Sequence, residues 1–140
     1  MLGALSQQKL DTCHPKLQRL FREVDRRLAK RKLMDITVIC GHRGEAEQEA
    51  AFAAGKSKKH WPDSKHNGLP SNAVDVSPYP IDWNDKLAYA RLAGYVFAVA
   101  DDLDIQIRWL GDGNQNGKSD DESFLDIDHF ELTDFELGRP

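Results

Sequence analysis

Apolar positions recur at helical spacing in two long stretches of the chain and cluster in four short ones. Pro15 suits the first turn of a helix, and Leu17, Leu20, Phe21, Val24 and Leu28 follow three or four residues apart. Lys16, Arg19, Arg22, Arg26, Arg27 and Lys30 fill the positions between them and read as its solvated face. A second long helix, capped by Asp82 or Asn84, carries Leu87, Leu92, Tyr95, Val96, Val99 and Leu103. Glu45 to Ala54 is alanine-rich and stops at Gly55, a third and shorter helix. The β-branched run Ile36–Cys40, bounded by Asp35 and Gly41, reads as a buried strand. Ala73–Val76 is a second strand, ended by Pro78 and Pro80, and Ile105–Trp109 and Ile127–Leu132 complete the set. These elements predict an α+β fold: a small single domain, 1–140, with an antiparallel sheet flanked by helices. Its core is expected between about residues 15 and 132, with no second domain behind it.

Between the periodic segments lie two long polar ones. Residues 55–71 form an aperiodic loop of about seventeen residues, longer than compact domains usually tolerate unless the loop has work to do. Gly111 to Ser123 is a second.

Composition narrows the class. A chain of 140 residues and 15.8 kDa holds one domain, and 40% hydrophobic with 30% charged residues disfavours both disorder and a membrane protein. No apolar run approaches the ~20 residues of a membrane span, and the N-terminus lacks a secretory leader, so synthesis and accumulation in the cytoplasm are expected. The net charge of −4 is unevenly spread. Residues 1–100 carry 16 Lys+Arg against 11 Asp+Glu, and residues 101–140 carry 3 against 12. That argues against a nucleic-acid binder with one broad basic face. Cys13 and Cys40 fit a reducing compartment and form no CxxC pair.

The chemistry sits on His66, Asp75 and His129. Asp75 alternates with Val74 and Val76, so its carboxylate faces away from theirs, which is costly in an apolar strand without a cation or donors. His66 lies where a polar loop enters that strand, and His129 lies in a strand flanked by acids. Two histidines and one aspartate from separate segments meet the needs of a catalytic Zn²⁺, which takes three protein ligands and leaves a position for water. A nearby carboxylate must then move the water's proton, and Asp126 is the candidate, with Asp128 a rival. His60 competes with His66. Strand alternation would put Asp126 and Asp128 on one side and His129 on the other, so a bulge or loop at Asp126–Ile127 is required.

Ser64-Lys65-His66, Ala73-Val74-Asp75-Val76 and Asp126-x-x-His129-Phe130-Glu131-Leu132 together resemble the D-Ala-D-Ala carboxypeptidase-type zinc peptidases. Within them the chain is most similar to the short phage endolysins that cut the L-alanyl-D-glutamate bond of peptidoglycan. Ile39-Cys40-Gly41-His42-Arg43 and Pro78-Tyr79-Pro80-Ile81-Asp82-Trp83 extend the similarity. His66 and Asp75 stand nine residues apart, in the longer HNxxPSxAVD form, rather than seven. The resemblance implies His66, Asp75 and His129 as zinc ligands and Asp126 as the catalytic carboxylate. It implies Arg43 as a substrate and oxyanion contact, Gln48 as a pocket residue, and Ser64 as orienting the loop or binding substrate. It further implies a monomer acting on bacterial peptidoglycan, which leaves the host cytoplasm for the periplasm through a holin-type permeabilising partner. The rival enzymatic reading is a D,D- or L,D-carboxypeptidase trimming stem peptides. The rival of another class is a non-catalytic peptidoglycan-binding module.

Asp112, Asn114 and Asn116, followed by Gly117, Asp120 and Asp121, resemble the first half of an EF-hand loop and are a candidate Ca²⁺ site. Position twelve of that register is Ser123 rather than glutamate, and an Asn/Gly turn explains the same letters.

Overall fold

The structure, a computed structural model, describes residues 1–118 and 126–139. Its helices are α1 (Ala4–Leu10), α2 (Pro15–Arg31), α3 (Glu45–Ala53) and α4 (Lys86–Leu103). Its strands are β1 (Asp35–Cys40), β2 (Ala73–Tyr79), β3 (Ile107–Trp109) and β4 (His129–Leu132). The strands form one antiparallel sheet in the order β1-β2-β4-β3.

Strand alternation divides the sheet into two faces. Val74, Val76, Phe130 and Leu132 point to a core built with Leu17, Leu20, Phe21, Val24 and Leu28 of α2 and Leu92, Val96 and Val99 of α4. Asp75, His129 and Glu131 occupy the opposite face, with Asp75 directly across from His129. One register shift matters on β1. Val38 pairs with Val76, but Cys40 pairs with Asp75, so an extra residue at Ile39 turns Cys40 toward the chemical face. β1 is therefore only half-buried: Ile36 and Val38 are buried while Ile39 and Cys40 are not.

Several expectations shift. The core starts earlier than Pro15, since Leu2, Leu10 and Cys13 belong to it, and α1 was not foreseen because Ser6, Gln7 and Lys9 interrupt its apolar pattern. Ser6 explains itself, as its Oγ accepts from Val38 N and bonds Thr37 Oγ1, joining α1 to β1. β2 runs on through Pro78 to Tyr79, because β4 pairs it only as far as Asp75 and a proline there breaks no ladder on that side. The cap of α4 is Asp85, whose carboxylate accepts from Ala88 N at 3.2 Å, while Asp82 closes the preceding turn onto Asn84 N. Leu87 is exposed rather than packed. Ile127 and Asp128 form a turn rather than strand, so β4 begins at His129. Among the described residues no helix is long and apolar enough to cross a membrane.

Candidate active site

Three donor atoms meet on the chemical face of the sheet. His66 Nε2 lies 3.1 Å from Asp75 Oδ1 and 3.2 Å from His129 Nδ1, and His129 Nδ1 lies 3.1 Å from Asp75 Oδ1. Donors at ~2.0–2.2 Å from one tetrahedral ion stand roughly 3.3–3.6 Å apart, so this triangle has nearly the size, and fully the donor set, of a zinc site. All three residues are buried.

Each corner is held by local structure. His66 rides a single 3-10 turn, Lys65–Asn67, capped by Ser64 Oγ on His66 N and closed by Asn67 Oδ1 on Ser64 N. His66 Nδ1 donates to Gly41 O at 2.7 Å, which leaves Nε2 free to face the triangle. Gly41 can do this because the chain passes close to α1 there: a Cβ would sit 2.4 Å from both Lys9 O and Thr12 Oγ1. His129 turns its Nε2 to Glu131 Oε1 at 2.9 Å, and Glu131 is held in turn by Lys65 Nζ at 2.9 Å. This carboxylate–imidazole pairing fixes the ring and raises its basicity as a ligand.

The electrostatics follow from those contacts. Burial alone would neutralise Glu131, but His129 and Lys65 overturn it and bring its pKa down to about 2. Burial works against a charged His66, yet the Asp75 carboxylate prevails and lifts it to about 10. The two histidines hold Asp75 below the usual carboxylate range despite its burial. Protons therefore bind the triangle together wherever a cation does not.

Asp126 lies beside the triangle, with a carboxylate oxygen within 4.8 Å of the Asp75 and His129 donor atoms. Its backbone is pinned on both sides, Asp126 N donating to Leu110 O and its carbonyl accepting from His129 N. The turn through Ile127 and Asp128 is what lets Asp126 and His129 share one centre, as strand alternation alone would not allow. Trp109 Nε1 steadies that turn by donating to Ile127 O at 2.8 Å. Asp128 is buried, and burial, a hydrogen bond to Asp126 and the nearby Asp75 push its pKa up to about 10. In its protonated form it is a donor to Asp126.

Arg43 reaches the same centre, with Nη2 3.6 Å from Asp75 Oδ2 and Nη1 donating to Gln48 Oε1 at 3.1 Å. Gln48 itself is wholly buried, its amide shared among Arg43, Asn67, Ser57 Oγ and Lys59 O. Gln48 thus lies behind the cleft wall, where its amide holds Arg43. Ser64 lines the cleft while capping the 3-10 turn. His60 turns outward to Glu49 and is no rival to His66. Glu131, Gly41 and Lys65 carry roles that sequence reasoning missed. So does Cys40, whose Sγ lies within 4.8 Å of the His66 and Asp75 donor atoms. The cleft over these groups measures about 1170 Å³.

In the polar loop, Asp112 accepts from Asn116 N and Gly117 N, Asn114 Oδ1 from Asn116 N, and Asn116 Oδ1 from Lys118 N. These are side-chain turns that need no cation. Asp120 and Asp121 lie outside the described residues.

Residues 1–133 match the phage L-alanyl-D-glutamate peptidases as a family. The chain belongs to that family. It is 32% identical over 123 residues to the L-alanyl-D-glutamate peptidase of Escherichia phage T5, covering 86% of each chain. Its fold is similar to the crystal structure of the Serratia marcescens L-Ala D-Glu endopeptidase ChiX, with a TM-score of 0.73 and 30% identity. That alignment covers 98% of this chain and 93% of the other. The likeness thus takes in α1 and every strand that carries the site.

Proposed function

We propose that the chain is a zinc-dependent peptidoglycan endopeptidase that hydrolyses the L-alanyl-D-glutamate amide of the stem peptide. The observation that carries this reading is the donor triangle of His66, Asp75 and His129 with the Asp126 carboxylate at its side. Family membership supplies the bond.

His66 Nε2, His129 Nδ1 and Asp75 would hold the ion, and Zn²⁺ bound there supplies a Lewis acid and a water acidic near pH ~7. The chain's own groups do the rest. Asp126 takes the proton of the attacking water and returns it to the departing D-glutamate amine. Asp128, protonated, keeps the Asp126 carboxylate aimed. Arg43 offers a fixed cation to the negative charge that grows on the scissile carbonyl oxygen. Gln48 and Asn67 keep that guanidinium in place, because each shares the amide network behind it. Acting as a monomer, the enzyme would reach its polymer from the host cytoplasm after a permeabilising partner opens the membrane.

Digestion of purified sacculi tests the reading. New D-glutamate N-termini, read by mass spectrometry and abolished by chelation, are expected. Release of free D-alanine instead would convert the assignment to a carboxypeptidase.

A further inference from the structure

The cleft is chemically lopsided. At one end it is cationic, lined by Arg43, Lys56, Lys58 and Lys59, with Gln48 tying Ser57 and Lys59 to Arg43. Trp83 also lines it but arrives from the other end of the β1–β2 pair. Arg43 follows Cys40, which stands opposite Asp75, whereas Trp83 follows Tyr79, which stands opposite Asp35. Antiparallel pairing therefore delivers Arg43 and the indole to opposite ends, and the Gln48 amide holds the Ser57–Lys59 segment on the Arg43 side.

The indole is 50% exposed and nonetheless fixed. It stacks on Tyr89, centroids 5.6 Å apart and planes 13° apart, and Tyr89 is buried with its hydroxyl 2.7 Å from the Oγ of buried Ser77. Exposed Tyr79 and Ile81 lie close in the chain. The surroundings are acidic: Asp82 and Asp85 flank Trp83, with Lys86 beyond. A carboxylate is disfavoured at this end. A neutral ligand with a flat face of C–H groups is not, because it can lie on a braced ring without losing hydrogen bonds.

The substrate has the matching asymmetry. Its D-glutamate side bears carboxylates, and its L-alanine side is joined through a lactyl group to an uncharged amino sugar. Resting on the function proposed above, we propose that Trp83 is the platform on which the muramyl sugar stacks, the D-glutamate side lying toward Lys56, Lys58 and Lys59. The enzyme then reads the sugar as well as the peptide, and the indole sets the direction in which the stem crosses the metal triangle.

The test uses zinc-loaded full-length protein and two soluble substrates, a muramyl stem peptide and the same stem peptide without the sugar. Trp83→Ala is expected to lower kcat/KM about tenfold on the muramyl peptide, mainly through KM, and to leave the sugar-free peptide within twofold. Trp83→Phe should recover most of the loss. Equal losses on both substrates, or none on either, overturn the platform. Zinc content and thermal melts of both variants separate a lost contact from a lost fold. If the wild type cuts neither substrate while its zinc content is full, the function proposed above fails instead, which is a different result from an unselective Trp83→Ala.

Discussion

At the scale of single residues, the site is defined less by its three donors than by what holds them. Glu131 orients His129, and Glu131→Gln keeps one acceptor while removing the charge, so metal affinity is expected to drop about 10–100-fold with little change in the melt of the metal-free protein. Competitive chelator titration measures it, and unchanged affinity would remove Glu131 from the ligand support. The two neighbouring acids separate cleanly. Asp126→Ala should keep zinc and lose ~10²–10⁴-fold in turnover, whereas Asp128→Asn, which still donates to Asp126, should lose less than about tenfold. The opposite ranking in a sacculus assay would make Asp128 the base.

Legibility followed the same line. His66, Asp75 and His129 stood out because titratable groups in apolar or strand-entry contexts demand a partner. Glu131 shares a face with His129 by alternation alone, but the meeting of its carboxylate with the ring nitrogen is visible only in the structure. Gln48 resembled a pocket residue because proximity to Arg43 is visible in the chain, while the direction of its amide is not.

At the scale of elements, the first helix is the support for His66. Gly41 sits against α1 with no room for a side chain and accepts from His66 Nδ1. Gly41→Ala must push the end of β1 away from Lys9 and Thr12. The expected outcome is a loss of about 1–3 kcal/mol in stability together with weakened metal binding. Equilibrium denaturation and zinc titration check the pair, and normal metal affinity in a destabilised variant would separate the helix from the site. α1 escaped sequence reasoning because its key contact is polar, Ser6 to the β1 backbone, and hydrophobic periodicity is blind to that. The strands were legible as runs, but their ends were not: Pro78 ends a strand only where a neighbour needs its N–H, and that depends on the sheet order.

At the scale of the whole molecule, the segment after β4 straps the layers together. Glu136 pairs with Lys16 at the start of α2 and accepts from Gln106 N just before β3. The Lys16 contact, then the backbone N–H, holds its pKa below the usual glutamate value. A carboxylate depressed in the folded state stabilises fully above its unfolded pKa of ~4.5 and loses that contribution as pH falls through the folded value. Glu136→Gln is therefore expected to lower Tm by about 3–5 °C at pH 7 and by progressively less as pH falls below ~4.5. A Tm difference that stays constant from pH 7 to 3 contradicts the strap.

The extra residue at Ile39 sets a parity for everything downstream. Before it, odd and even positions of β1 keep an ordinary inside–outside order. After it, the order is inverted, and Cys40 comes to lie over the chemical face beside Asp75. Were Ile39 to take the place opposite Asp75, with no residue to spare, Cys40 would fall opposite Val74 on the core side and the Gly41 carbonyl would leave His66, although no donor of the triangle and no acid beside it had changed. Catalytic capacity in this fold is thus hostage to the count of residues in one strand as much as to their identities.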